Sequence, residues 1–192
     1  MVAGIDRVAG QHDPGELDVA NMSLGGPWNP TVDAAVAALV EDGVTVLVAA
    51  GNDGLDAGGY SPAAVAEAIT VGATDNKDGR TSWSDHGSEL DLFAPGLNVT
   101  STGLEGGTKT VSRTSMASPH VAGPAALLLQ QGVATPGVVA QQLASVSTDG
   151  RVNNAGPGLA ERTALRHRVH AEAEPNPGPT RPGDRWESGR RD

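Results

Sequence analysis

The chain has 192 residues, enough for one domain with a substantial buried core. A formal net charge of −10 argues against a nucleic-acid partner, since no basic stripe exists for phosphates, and no apolar run reaches the length of a membrane span. Cysteine is absent, which excludes a disulfide framework, a thiol nucleophile and a cysteine-based zinc site; with 26 Gly and 3% aromatic residues, the core must rest on Ala, Val and Leu in closely packed α/β layers.

Gly10 to Gly15 is a polar loop in which His12 reads as a surface histidine. Asp18 to Pro27 is a short apolar strand ending in the glycine pair Gly25-Gly26, where other backbone can come close. Pro30 to Asp42 reads as a helix, with Val32, Ala35, Val36, Leu39 and Val40 at helical spacing and Gly43 as a stop. Val44 to Ala49 is a near-continuous, β-branched apolar run, as in a parallel strand covered on both faces. Helix followed by buried strand predicts an α/β crossover, and ligands in such sheets gather at the carboxyl ends of strands, where Gly51-Asn52 sits. An αL asparagine that simply ends the strand is the competing reading of that turn.

Ala68 to Thr74 and Asp91 to Gly96 predict two more short strands, joined by the polar turn 75–79 and the loop Trp83 to Ser88. Asp75 and Asp78 do not have EF-hand spacing and read as solvated turn residues. In Arg113-Thr114-Ser115-Met116-Ala117-Ser118-Pro119-His120-Val121-Ala122-Gly123, a serine opens a helix after a strand. Its N–H and the positive helix end then face the place where an oxyanion would form. An ordinary N-cap serine, with Pro119 in the first turn, is the structural alternative. From Glu172 the chain is poor in apolar residues, and His167 and His170 read as solvated rather than as metal ligands.

The Arg113–Gly123 run resembles the serine block of the subtilisin-like proteases at every position but Arg113, where the family has glycine. Asp18 to Pro27, Val44 to Asn52 and the segment from Tyr60 to Gly96 resemble further blocks of that family in the same order, closest to actinobacterial and proteinase K-like enzymes. The resemblance implies a subtilisin-like α/β fold with a mainly parallel sheet flanked by helices, and a secreted, extracellular serine endopeptidase acting on polypeptides. By it, Ser115 is the nucleophile, and the Asn52 amide with the Ser115 N–H stabilises the oxyanion. Ser23, Leu24 and Gly25 pair with an extended substrate and wall its primary pocket, with Ala50 and Gly51 as further substrate-binding positions. Asp91 with the carbonyls of Ala66 and Ala68 would hold a structural calcium ion; local capping by Asp91 is the alternative. No organic cofactor is implied.

The family places an aspartate and a His-Gly-Thr-His histidine before the oxyanion asparagine, and neither block occurs here. Val2 to Ala9 resembles the helix downstream of that histidine. The expectation is therefore a partial catalytic domain over 1–166, lacking its N-terminal part, and a disordered Pro/Arg-rich tail over 167–192. Such a chain alone is inactive, and its partner would be the missing N-terminal segment of the same protease. The alternative is an inactive remnant or peptide-binding pseudoprotease. Two local misfits accompany this. Arg113 would be strained by ~1–3 kcal/mol if its φ were positive, and Pro124 should kink the serine helix or cost ~3 kcal/mol.

Overall fold

The computed structural model describes residues 1–104, 106–133 and 135–157. In chain order, α1 (Val2–Ala9) leads to β1 (Val19–Met22), β2 (Gly26–Pro27), α2 (Pro30–Glu41) and β3 (Thr45–Ala49). Then come β4 (Tyr60–Ser61), β5 (Ile69–Thr74), β6 (Leu92–Pro95), β7 (Val99–Thr102), β8 (Thr108–Val111), α3 (Thr114–Gln130) and α4 (Pro136–Val146). The central sheet is parallel throughout, in the order β1-β3-β5-β6. Two antiparallel ribbons, β2 with β4 and β7 with β8, complete the strands among the described residues.

Every residue of β3 and β5 is buried, as a strand covered on both faces requires. Alternation divides them between the two layers. Leu47, Ile69, Val71 and Ala73 meet a stripe on α3, Ala117, Val121, Ala125 and Leu129, each one turn and a fraction from the last; Val139 and Leu143 of α4 close that side. Val46 and Val48 face the other way, onto Val36 and Leu39 of α2 and Ile5 of α1. Helix α2 starts where predicted because Asn29 caps it, accepting from the N–H groups of Thr31 and Val32 ahead of a proline in the first turn.

Two local expectations change, at the start of α3 and at Arg113, while the cost expected of Pro124 is carried within the helix. Arg113 occupies the N-cap position of helix α3 without a side-chain cap bond, so Ser115 is the helix's second residue and Pro119 lies beyond the first turn. Pro124 does not end the helix, which continues to Gln130. The buried stripe runs past it on both sides, and burial at about 1.5–3 kcal/mol per large apolar side chain offsets the ~3 kcal/mol of the lost bond and ring clash. Arg113 has φ −167°, extended backbone open to any residue, so the expected strain is not there. The proposed boundary at 166, the tail over 167–192, and His167 and His170 all lie outside the described residues.

The sheet leaves no room at its centre. A Cβ on Gly72 of β5 would stand 2.5 Å from the Phe93 ring and 2.7 Å from Leu90, both fully buried. Gly72→Ala is expected to lower unfolding stability by about 1–3 kcal/mol, the usual range for overpacking, as read from the urea midpoint.

Candidate active site

The carboxyl end of β3 and the amino end of α3 meet at one side chain. Asn52 follows β3 by way of Gly51, whose φ of +118° turns the chain out of the sheet. Asn52 itself has no positive φ, so the αL asparagine reading of this turn does not hold. Its Oδ1 accepts the backbone N–H of Thr114 at 2.8 Å and the Thr114 hydroxyl at 3.1 Å. The Thr114 hydroxyl also lies 3.2 Å from the Gly51 carbonyl and 3.3 Å from the Gly51 N–H, and Thr114 is completely buried. With its oxygen committed to Thr114, the Asn52 amide has its NH₂ group left to donate.

Ser115 is held from the other side by β1. Its hydroxyl donates to the Ser23 carbonyl at 3.2 Å, and the Ser23 hydroxyl donates to the Ser115 carbonyl at 2.8 Å. In an uninterrupted helix that carbonyl would accept the N–H of residue 119. Residue 119 is proline and has no N–H, so Ser23 takes the vacant acceptor. A relay continues behind it: Ser118 donates to Asn21 Oδ1 at 2.7 Å, and Asn21 donates to the Ser23 hydroxyl at 3.0 Å. As the second residue of α3, Ser115 has an N–H with no carbonyl one turn back, at the positive end of the helix.

Ser115 and Asn52 line one cavity of about 500 Å³, together with Leu24, Gly25, Ala50 and Gly51. Asp53, Tyr60 and Arg113 also border it. The Tyr60 phenol is held above its ordinary value, first by burial and then by the Asp53 carboxylate beside it. Ser23 to Gly25 belong to no strand, whereas the following Gly26 and Pro27 pair with Ser61 and Tyr60. Leu24 and Gly25 thus border the cavity with backbone that belongs to no strand.

The remaining sequence-predicted residues lie elsewhere. Asp91 sits beside the start of β5, where Oδ2 accepts the Thr70 N–H at 2.8 Å, a few residues beyond exposed Ala66 and buried Ala68. Asp75 closes its own turn, accepting from the N–H groups of Gly79 and Lys77, which hold its carboxyl below the ordinary range. His12 is not the surface histidine expected: its side chain is 4% exposed, bonded to Asp18 at 2.8 Å and to the Asp42 carbonyl at 3.1 Å. The Asp18 bond raises its pKa. Asp18 immediately precedes β1 and Ser23 immediately follows it, so the strand separates His12 from Ser115. His120 lies on α3 but bonds the Met116 carbonyl, and no described histidine hydrogen-bonds Ser115.

Thr114 was not singled out from the sequence, although a threonine next to a proposed nucleophile is a visible signal. Asp85, whose carboxyl underlies the Asn52 loop, gave none. Thr114→Val keeps the shape and the N–H but removes the hydroxyl that bonds Gly51 and Asn52. It is expected to cost about 1–3 kcal/mol, because the Gly51 N–H loses its described acceptor, and differential scanning calorimetry reads the loss.

Comparison with known proteins agrees with this geometry. The model of the subtilase family matches residues 1–160. Proteinase R of Parengyodontium album is 44% identical over 170 residues, 87% of this chain and 44% of that protein. The extracellular serine proteinase of Thermus sp. (strain Rt41A) is 50% identical over 159 residues, 81% of this chain and 38% of that protein. The crystal structure of a cold-adapted subtilisin-like serine proteinase superposes with a TM-score of 0.80 at 42% identity, covering 85% of this chain and 59% of that one. The chain thus spans less than half the length of these two curated relatives. By family match, by identity and by its parallel sheet flanked by helices, the chain belongs to the subtilase family.

Proposed function

We propose that the chain supplies the nucleophile and oxyanion half of a secreted serine endopeptidase. The observation that carries the reading is the shared cavity: Ser115 at the amino end of α3 and Asn52 at the end of β3, joined through Thr114. In the proposed reaction a peptide lies along Ser23, Leu24 and Gly25, and one side chain enters the cavity beside Ala50 and Gly51. Ser115 Oγ adds to the peptide carbonyl carbon. The carbonyl oxygen gains negative charge and is met by the Asn52 NH₂ and the Ser115 N–H. Donors fixed in advance stabilise such a charge without reorganising at the moment of reaction.

The step requires removal of the Ser115 proton. Its described acceptor is the Ser23 carbonyl, which is no base, and no described histidine bonds Ser115, so in this reading the general base and its orienting aspartate are supplied from outside the described residues. A missing N-terminal segment of the same protease is the proposed partner. We further propose a structural calcium at Asp91 with the carbonyls of Ala66 and Ala68. The Thr70 N–H holds the Asp91 carboxylate against the segment bearing those carbonyls, an all-oxygen donor set suited to a hard cation. It would fix the start of β5, remote from the chemistry. The second reading, peptide binding without turnover, is favoured by that same hydrogen bond of Ser115 to a backbone carbonyl.

A fluorophosphonate probe separates the two, because labelling needs an activated serine. The 192-residue chain alone is expected to take up no label and to hydrolyse no casein. Combined with the N-terminal segment of a relative, it should label at Ser115, and Ser115→Ala should abolish the signal. Labelling of the chain alone would overturn the division of roles. Silence in a folded, combined protein would favour the peptide-binding reading.

A further inference from the structure

Asp85 is completely buried in the loop after Trp83, and the chemistry above does not use it. Its Oδ1 accepts two backbone N–H groups, those of Asp53 and Leu55, each at 2.9 Å. Its own N–H donates to the Gly51 carbonyl at 3.1 Å. One residue therefore grips the backbone on both sides of Asn52. The second carboxyl oxygen, Oδ2, is buried without a hydrogen-bond partner. It fills the place of the side chain that Gly51 lacks: a Cβ there would lie 2.0 Å from it.

Backbone bonds alone also tie these two loops, from Gly54 to Trp83 and from His86 to Leu55. They hold the segment after Asn52 in place. They do not account for a carboxyl against Gly51, where an unpartnered polar oxygen costs stability.

Resting on the reading of Asn52 as an oxyanion donor, we propose that Asp85 is a positioning residue for it. Its carboxyl clamps the backbone around Asn52, sets the place of the Asn52 amide beside Ser115, and makes that place depend on whether Asp85 carries a proton.

Two opposed effects act on this carboxyl. Ionisation strengthens the bonds from Leu55 and Asp53, since a charged acceptor binds N–H groups more tightly. It also leaves a charge at Oδ2 with no partner. Burial prevails and raises the Asp85 carboxyl above its ordinary value, and the Asp53 carboxylate acts in the same direction. The other titratable or charged groups around it are the Tyr60 phenol, the adjacent His86, and Arg80, whose guanidinium donates to the Ser84 carbonyl at 2.6 Å. Because the folded state holds this proton more tightly than the unfolded chain, stability falls as pH rises from the ordinary carboxylate range through the Asp85 midpoint. The loop should shift over the same interval.

NMR on the full chain tests this. The Asp85 carboxyl carbon and the Asn52 side-chain amide should titrate with one common midpoint, above the ordinary aspartate value of about 3.9. In Asp85→Asn, which keeps an acceptor for both N–H groups but cannot ionise, the Asn52 signal should be flat over that range. In Asp85→Ala, amide exchange at Asp53 and Leu55 should rise about tenfold or more, as for loss of a bond to a charged group. An Asn52 signal that stays constant while Asp85 titrates would overturn the proposal, as would unchanged exchange in Asp85→Ala. If the alanine variant does not fold, the asparagine titration decides alone. None of these signals needs turnover, so a failed probe experiment and a failed titration point to different readings.

Discussion

The oxygen of the Asn52 side chain joins the parallel sheet to the helix that carries Ser115. It receives two donors from Thr114, one from the backbone and one from the hydroxyl, and Thr114 precedes Ser115 directly. Without that bond, β3 and α3 would still pack through Leu47 and the α3 stripe. Apolar packing is not directional, however, and could not fix which way an amide points. The polar clamp supplies direction, and the amide nitrogen is left to donate. Gly51 must then turn sharply, and the buried Asp85 carboxyl lies where any larger residue at 51 would place its Cβ.

The second fixed relation is between β1 and α3. A proline inside a helix is a defect wherever its missing N–H leaves a carbonyl unpaired. At Pro119 the defect is used, since the freed Ser115 carbonyl accepts the Ser23 hydroxyl. The same Ser23 lends its carbonyl to the Ser115 hydroxyl, so the proposed peptide-binding segment and the proposed nucleophile share two bonds. Pro124 has no comparable use in the described contacts. The helix carries it because Val121, Ala125 and Leu129 remain buried on either side.

Much of the fold was legible because it is written in local patterns. The β-branched run of β3 and the helical spacing of α2, with Pro30 at its start and Gly43 after its end, needed no knowledge of distant partners, although the Asn29 cap came only from the structure. The family blocks then brought Ser115 and Asn52 forward together. What escaped depends on contacts far apart in sequence. Thr114 and Asn52 are 62 residues apart, Ser23 and Ser115 are 92 apart, and Asp85 reaches Leu55 across 30. His12 was misjudged for the same reason, because the polar loop around it does not announce Asp18 and the Asp42 carbonyl as partners. Arg113 was expected to be strained only if its φ were positive, and a dihedral is not visible in a residue name.

The account depends on the Thr114–Asn52 bond, and amide hydrogen exchange at Thr114 measures it directly. As the first residue of α3, Thr114 has no helical acceptor for its N–H, and the acceptor it does have is the Asn52 oxygen. The account predicts a protected Thr114 amide in the natural chain and loss of that protection in Asn52→Ala, with exchange at Ala125 in mid-helix unchanged. A Thr114 amide that exchanges freely in the natural chain would contradict it.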